Sequence, residues 1–419
     1  MSDDIPQATL EARYRHSFGR LAGYLPESRA AVDEWQAGLV QKVADYEEQF
    51  SPAVQALADL IERDGTVRQY VTEMIEQVPP TQRKVADIPQ LLNCLNYITG
   101  TAPAYNPDKS KRIAFPMSAL FVHMMATKAG ETAFRLQPFN NALRAILTEW
   151  CGYLDSQKSR SVLNRSDSGW LSPPAWKEFN LDEFIIPRPE QPDGGFASYN
   201  AFFHREIKEA CRPVDPTPDA IVSPNDGQVW TYKQVTSPND RFWLKAQPYS
   251  LTDMVQGRER AEPFVGGHVF QSFLSGADYH RWRSPVNGTV TDMKLVPGLM
   301  FSETVVPDKD AGVLSQGYEA SVNTRGLVFI DSEFGKKVCV MPIGITEISS
   351  VVLRTDLIGE TVRKGDELGM FSYGGSSMCV LFEKGLIKEF TVPNNDPIEH
   401  PWGGKPIRVN ARIARANMP

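Results

Sequence analysis

Several large classes are excluded by what this sequence lacks. Its five cysteines stand far apart at 94, 151, 211, 339 and 379, an odd number with no C-x-x-C pair. That spacing argues against a disulfide framework and a thiolate zinc site, and suits reduced thiols in a cytoplasmic protein. The six histidines include no H-E-x-x-H or other close ligand pair, so no metal is expected. Basic residues are outnumbered, 44 against 51 acidic, for a net charge of -7. Nucleic acid, which needs a clustered basic surface, is not an expected partner. No P-loop or G-x-G-x-x-G fingerprint is present. Long apolar runs are missing as well: the most apolar stretch, 113–126, is too short for a bilayer and is broken by Pro116, Ser118 and His123. The opening MSDDIPQATLEARYRH has neither the build of a signal peptide nor a lipidation motif. No membrane insertion is expected.

What is present is an ordinary globular composition, 42% apolar and 23% charged, in a 419-residue chain long enough for more than one core. Two periodicities divide it. Residues 1–165 read as a helical N-terminal domain. Ser51-Pro52 supplies a cap and a first-turn proline, with Val54, Leu57, Ala58 and Ile61 on one face. The spacing recurs in Val67, Tyr70, Val71, Met74, Ile75 and Val78, and again in Leu143, Ile146, Leu147, Trp150, Cys151 and Leu154. Such stripes are core, and His16 and His123 among them read as structural or surface residues. Residues 166–200, rich in Pro, Gly and Asp, read as a linker or irregular connection. Residues 201–419 then read as β-rich, with a short helix over 199–210. Runs such as 338–343 and 378–382 lie between turns, and Asn287-Gly288 signals a hairpin. The fold class is therefore α+β.

Three segments of the second half can carry chemistry. Tyr373-Gly374-Gly375-Ser376-Ser377-Met378 comes after the strand-like VRKGDELGMF. Methionine at 378 rules out a hydrolase elbow, which needs glycine there. The segment is either a plain tight turn or the seat of an acyl shift. In the latter, the Ser376 hydroxyl attacks the unhindered Gly375 carbonyl, and the ester so formed eliminates to break the chain. Ser223-Pro224-Asn225-Asp226-Gly227 sets an acid at a turn. Asp278-Tyr279-His280-Arg281-Trp282-Arg283 gathers a histidine, two arginines and aromatics. Taken singly, the Asp-Gly pair reads as a turn and the histidine as structural.

Together these segments resemble the phosphatidylserine decarboxylase family. The resemblance runs from Phe202-Phe203-His204-Arg205 and Cys211-Arg212-Pro213-Val214-Asp215, through SPNDG, Tyr249-Ser250-Leu251 and DYHRW, to GGSS, about half the chain. Within the family the sequence is similar to the soluble tryptophan decarboxylases of psilocybin-producing mushrooms. They share a helical N-terminal domain, the PVNGT segment, Gly-x-Thr-Glu-Ile-Ser at 344–349 and GDxLGMF-x-x-GGSS.

The resemblance implies a catalytic domain over 201–419 of hammerhead or barrel-sandwich type. It also implies cleavage between Gly375 and Ser376, giving a large β chain and a small α chain that begins with a pyruvoyl group made from Ser376. That covalent ketone captures a substrate amine and accepts electrons as CO2 leaves. Asp226 then belongs to the self-cleavage machinery and His280 to decarboxylation, as proton donor or carboxylate-orienting group. Arg283, Trp282 and Ser377 are expected at the substrate or just behind it.

The family pattern has a second histidine, the base that activates the serine, where this chain has Arg283. An arginine, with a pKa of roughly 12 or more, cannot serve as that base near neutral pH. Either His280 or Asp226 takes its place, or cleavage is slow or absent. The resemblance favours a free aromatic amino acid as substrate, for which Trp230, Trp243, Trp282 and Tyr373 either line a pocket or belong to the β core. The alternatives are a lipid decarboxylase making phosphatidylethanolamine, and a binding protein on the same scaffold that lost catalysis through Arg283.

Overall fold

The computed structural model describes residues 25–26, 29–45, 48–239, 250–274, 278–301, 316–345, 347, 351–397, 400 and 404–418. His16, Trp243 and Tyr249 lie outside the described residues, as do positions 346, 348 and 349 of the 344–349 segment. The chain divides into two compact units with interleaved boundaries. The first comprises 1–178, 187–201 and 299–315; the second comprises 179–186, 202–298 and 316–419.

The first unit is helical: α1 (Arg29–Lys42), α2 (Pro52–Arg63), α3 (Gly65–Glu76), α4 (Ile88–Thr99), α5 (Pro116–Met125), α6 (Lys128–Ala133) and α7 (Gln137–Leu154). Local chemistry sets the ends. Ser51 Oγ accepts from Val54 N at the start of α2, and Asp64 caps α3 by accepting from Thr66 N and Val67 N. Each such cap is worth about 1 kcal/mol. The stripes read from the sequence face inward: Val54, Leu57, Ile61, Val67, Val71, Met74, Leu143, Ile146 and Trp150 are buried. The apolar stretch noted above becomes α5, whose ten residues are all buried. Among the described residues no helix is long and apolar enough to cross a membrane.

His123 on α5 is buried and its Nε2 lies 2.7 Å from Asp33 Oδ1. Burial holds its imidazole below the ordinary 6.5, against the opposing pull of Asp33. A lowered histidine favours the neutral form in the folded state. Its contribution to stability is therefore complete above pH 6.5 and is lost as the pH falls toward the folded value. His123→Gln should accordingly show a smaller drop in denaturation midpoint between pH 7.5 and 5.5 than the parent. Equal drops would contradict this.

The second unit is built on antiparallel sheets. Among the described residues its strands are β1 (Ala220–Val222), β2 (Gly227–Gln234), β3 (His268–Leu274), β4 (Arg281–Arg283), β5 (Gly288–Val296), β6 (Arg325–Ser332), β7 (Lys337–Ile345), β8 (Val351–Leu353), β9 (Thr361–Val362), β10 (Glu367–Phe371), β11 (Gly375–Phe382), β12 (Ile387–Phe390), β13 (Pro406–Ile407) and β14 (Arg412–Ala416). An eight-stranded sheet runs β13-β2-β3-β11-β7-β6-β5-β9, beside sheets ordered β1-β14-β12 and β4-β10-β8. β11 lies inside the large sheet, between β3 and β7. Its alternate residues enter two cores: Met378, Val380 and Phe382 join one, Cys379 and Leu381 the other. Burial on both faces explains why the run reads as unbroken apolar sequence.

Two local expectations are corrected. Asn287-Gly288 is not a hairpin turn, because β4 pairs with β10 whereas β5 pairs with β6 and β9. The Asn287 side chain instead ties two other segments, accepting from Lys364 N and donating to Glu333. The helix expected over 199–210 covers only Tyr199–Phe203. The chain then turns so that Ile207 bridges Phe184.

Candidate active site

Ser376 lies within a strand, not in a loop. The apolar residues after it find partners on both sides, and pairing extends back to Gly375. Ser376 stands opposite Leu274 of β3 and Gly344 of β7. The turn proper is the segment before it, where Gly374 takes φ 147°, a conformation that favours glycine. Both Ser376 and Ser377 are fully buried. The Ser377 hydroxyl donates to Ser272 O at 3.0 Å and accepts from Gln271 Nε2 at 3.0 Å.

Aromatic rings gather beside the turn. The His280 ring stacks on Phe203, with centroids 3.9 Å apart and planes 20° from parallel. Phe203 meets Tyr373 edge-on at 5.4 Å. His280 is also fixed through its backbone, since its carbonyl accepts from Phe371 N at 2.9 Å. The next residue, Arg281, secures the segment by donating to His204 O and to Glu367, each at 2.7 Å. Tyr373 Oη donates to Glu347 Oε1 at 3.1 Å, and both residues are buried. His280, Phe203, Tyr373 and Glu347 thus form one connected group, in which Tyr373 stands three residues before Ser376 in the chain.

The other expected residues are placed differently. Asp226 is held by Arg212, whose Nη2 lies 2.7 Å from Oδ2, and it accepts from Val409 N at 2.7 Å. Arg212 also reaches Glu183 at 2.7 Å. Burial lowers its guanidinium pKa, but bonds and charges from Asp226 and Glu183 outweigh that and leave the pKa raised. By register Gln228, two residues after Asp226, and Ser377 flank Phe273 on opposite sides, a backbone separation of roughly 10 Å.

Arg283 points its guanidinium at Gly365 O (2.9 Å) and Tyr279 Oη (3.2 Å). Burial raises the Tyr279 pKa, a shift that Arg283 opposes. Trp282 is a core residue whose ring packs so closely on Gly369 that a Cβ there would meet it at 2.3 Å. Trp230 is likewise buried. Of the aromatics considered for a pocket, Tyr373 alone among the described ones joins the group at the turn. The sequence reading assigned no role to Phe203, Arg212 or Glu347, although all three lie inside segments it had quoted. Among the described residues no cluster of His, Cys, Asp or Glu is arranged to hold a metal.

Comparison with known proteins gives the family. The Phosphatidylserine decarboxylase family model matches residues 199–409, and a second phosphatidylserine decarboxylase model matches 51–179. "Decarboxylase iboD" of Amanita muscaria is 34% identical over 72% of this chain and 91% of its own length. An L-tryptophan decarboxylase of Psilocybe cubensis is 28% identical over 94% of both chains. Phosphatidylserine decarboxylase proenzyme 3 of Schizosaccharomyces pombe is 36% identical, but over 46% of this chain and 20% of its own.

Proposed function

This chain belongs to the phosphatidylserine decarboxylase family and is a carboxy-lyase, and we propose that it processes itself and decarboxylates a free aromatic L-amino acid, tryptophan first. The observation that carries this reading is the buried stack of His280, Phe203 and Tyr373, whose Tyr373 stands three residues before Ser376 in the chain, an aromatic group suited to a flat side chain. Similarity over 94% of the length of an L-tryptophan decarboxylase, helical unit included, supports it.

The residues at the turn fit a pyruvoyl group made from Ser376. Gly374 and Gly375 precede it and Gly344 stands across from it on the β7 side, so three of its backbone neighbours carry no side chain, while Leu274 stands across on the β3 side. Such a group supplies an electron sink for the bond broken as CO2 leaves. The chain's own residues do the rest. With no Cβ at Gly375, no side chain on that residue hinders attack of the Ser376 hydroxyl on the preceding carbonyl. The Phe203 stack and the Phe371 hydrogen bond hold His280 in one orientation, which suits the residue that delivers a proton to the product carbon. Arg283 is committed to Gly365 and Tyr279 and cannot act as a base, so we assign the proton transfers of maturation to His280 as well. Asp226 acts by anchoring, through Arg212 and Val409, the start of β2. The products of cleavage are a large chain ending at Gly375 and a small one from Ser376.

The test is to supply matured protein with L-tryptophan, other aromatic L-amino acids, and vesicles containing phosphatidylserine. The corresponding amine and CO2 from the amino acids, with no turnover of vesicles, is the expected result. Turnover of vesicles alone would make the protein a lipid decarboxylase. An uncleaved chain that binds an amino acid without turnover would make it a binding protein.

A further inference from the structure

We propose that the helical unit carries a binding site of its own for a small aromatic anion, whose ring lies against Trp35, Tyr97 and Tyr153 and whose acid group turns toward Lys42 and Lys111. The site is a cleft of about 520 Å³ lying wholly within the first unit, a size that suits a small organic molecule. Ser376 and the residues grouped beside its turn belong to the second unit, so the decarboxylase reading gives this cleft no role.

The sequence explains how the cleft is lined. Trp35, Leu39 and Lys42 are spaced i, i+4, i+7 on α1, which puts them on one face. An indole and an ammonium are thereby set roughly 10 Å apart along the helix axis. Lys42 Nζ lies 6.0 Å from the centre of the Tyr97 ring on α4, so its charge sits over an aromatic wall of the cleft. Tyr153, in the last turn of α7, adds a third ring. All three rings are half-buried and keep surface for a flat partner. Residues 101–106 complete the lining and form neither helix nor strand. They are nonetheless fixed at four points. The carbonyls of Thr101, Pro103 and Asn106 accept from Trp150 Nε1, Trp170 Nε1 and Arg112 Nε at 2.7–2.8 Å, and Tyr105 Oη donates to Glu178 at 3.1 Å. A segment held this way spares a ligand the cost of ordering it.

Charge selects the ligand. Among the described residues no carboxylate lines the cleft. The neighbouring cations Lys109 and Arg112 are matched by Glu178 at 3.3 and 2.7 Å, whereas Lys42 and Lys111 form no ion pair among the described residues. In a chain of net charge -7 this local positive excess attracts an anion and repels an amine. An aromatic amine is therefore rejected, and an amino acid, which brings its own ammonium beside the lysines, binds less well than an aromatic acid without one.

The test titrates the full chain calorimetrically with 2-naphthoate and with (2-naphthylmethyl)trimethylammonium, a cation of similar shape. Neither has a primary amine that could condense with a ketone. Naphthoate should bind at one site per chain and at least tenfold more tightly than the cation. Lys42→Gln combined with Lys111→Gln changes two exposed positions, so melting should be nearly unchanged. It should weaken naphthoate about fivefold and leave the cation no weaker. Trp35→Leu should weaken both probes, by about fivefold. Ser376→Ala should bind naphthoate like the parent, which separates this site from the second unit and its chemistry. No naphthoate binding at about 1 mM, equal binding of the two probes, binding that the lysine pair does not alter, or binding lost in Ser376→Ala would each overturn the proposal. Failure of every amino acid as a substrate would leave it standing.

Discussion

Ser376→Ala should yield a single, uncleaved chain whose decarboxylase activity is lower by on the order of a thousandfold or more, because the protein then has no electron sink. The fold should survive the change. Ser376 is a small buried residue paired through its backbone to Leu274 and Gly344, and alanine keeps every ladder bond. Denaturation should therefore shift by no more than about 1 kcal/mol. Gel electrophoresis, melting temperature and product assay together read the prediction. Residual activity near the parent level would mean that the chemistry does not originate at Ser376. A collapsed melting temperature would mean that the hydroxyl is structural.

Asp226→Ala should act through stability. Its carboxylate takes three contacts from Arg212 at 2.7–3.2 Å and one from Val409 N. Removing it leaves a buried guanidinium with Glu183 as its remaining carboxylate partner. Breaking one side of a buried pair typically costs about 3–5 kcal/mol, a fall of roughly 10 °C for a unit of this size. Cleavage should fail or slow in parallel, since β2 pairs with β3 and β3 pairs with β11. Adding Arg212→Ala should recover part of the loss, because the stranded charge goes with it. An Asp226→Ala chain that melts like the parent yet does not cleave would instead assign Asp226 a direct chemical role.

The helical half was legible because its signals are local. Ser51 and Pro52 act within one turn of where they stand, and the apolar stripes have a single period. The β half was legible where burial on two faces made strands unbroken apolar runs, as in 338–343 and 378–382. Pairing is not local, and there the sequence reading failed. Asn287-Gly288 has the composition of a hairpin turn, but the flanking strands belong to different sheets. Nothing near Asn287 in sequence reveals Lys364 and Glu333, its partners in space.

The candidate site divides along the same line. Ser376, His280, Asp226 and Arg283 were singled out because they sit in recognisable segments. What each one touches was not visible: Arg212 holding Asp226 from fourteen residues upstream, Phe203 stacking on His280, Glu347 reaching Tyr373 across the ladder. Trp282 illustrates the converse. The sequence left it either beside the substrate or in the β core, and its contact with Gly369 belongs to the core.

Conversion of Ser376 into the reactive group is read most directly by intact mass of the purified protein under denaturing conditions. Two chains dividing between Gly375 and Ser376 are expected, the small one lighter by one ammonia than simple hydrolysis would give. A single chain of 419 residues that persists on long incubation would contradict it.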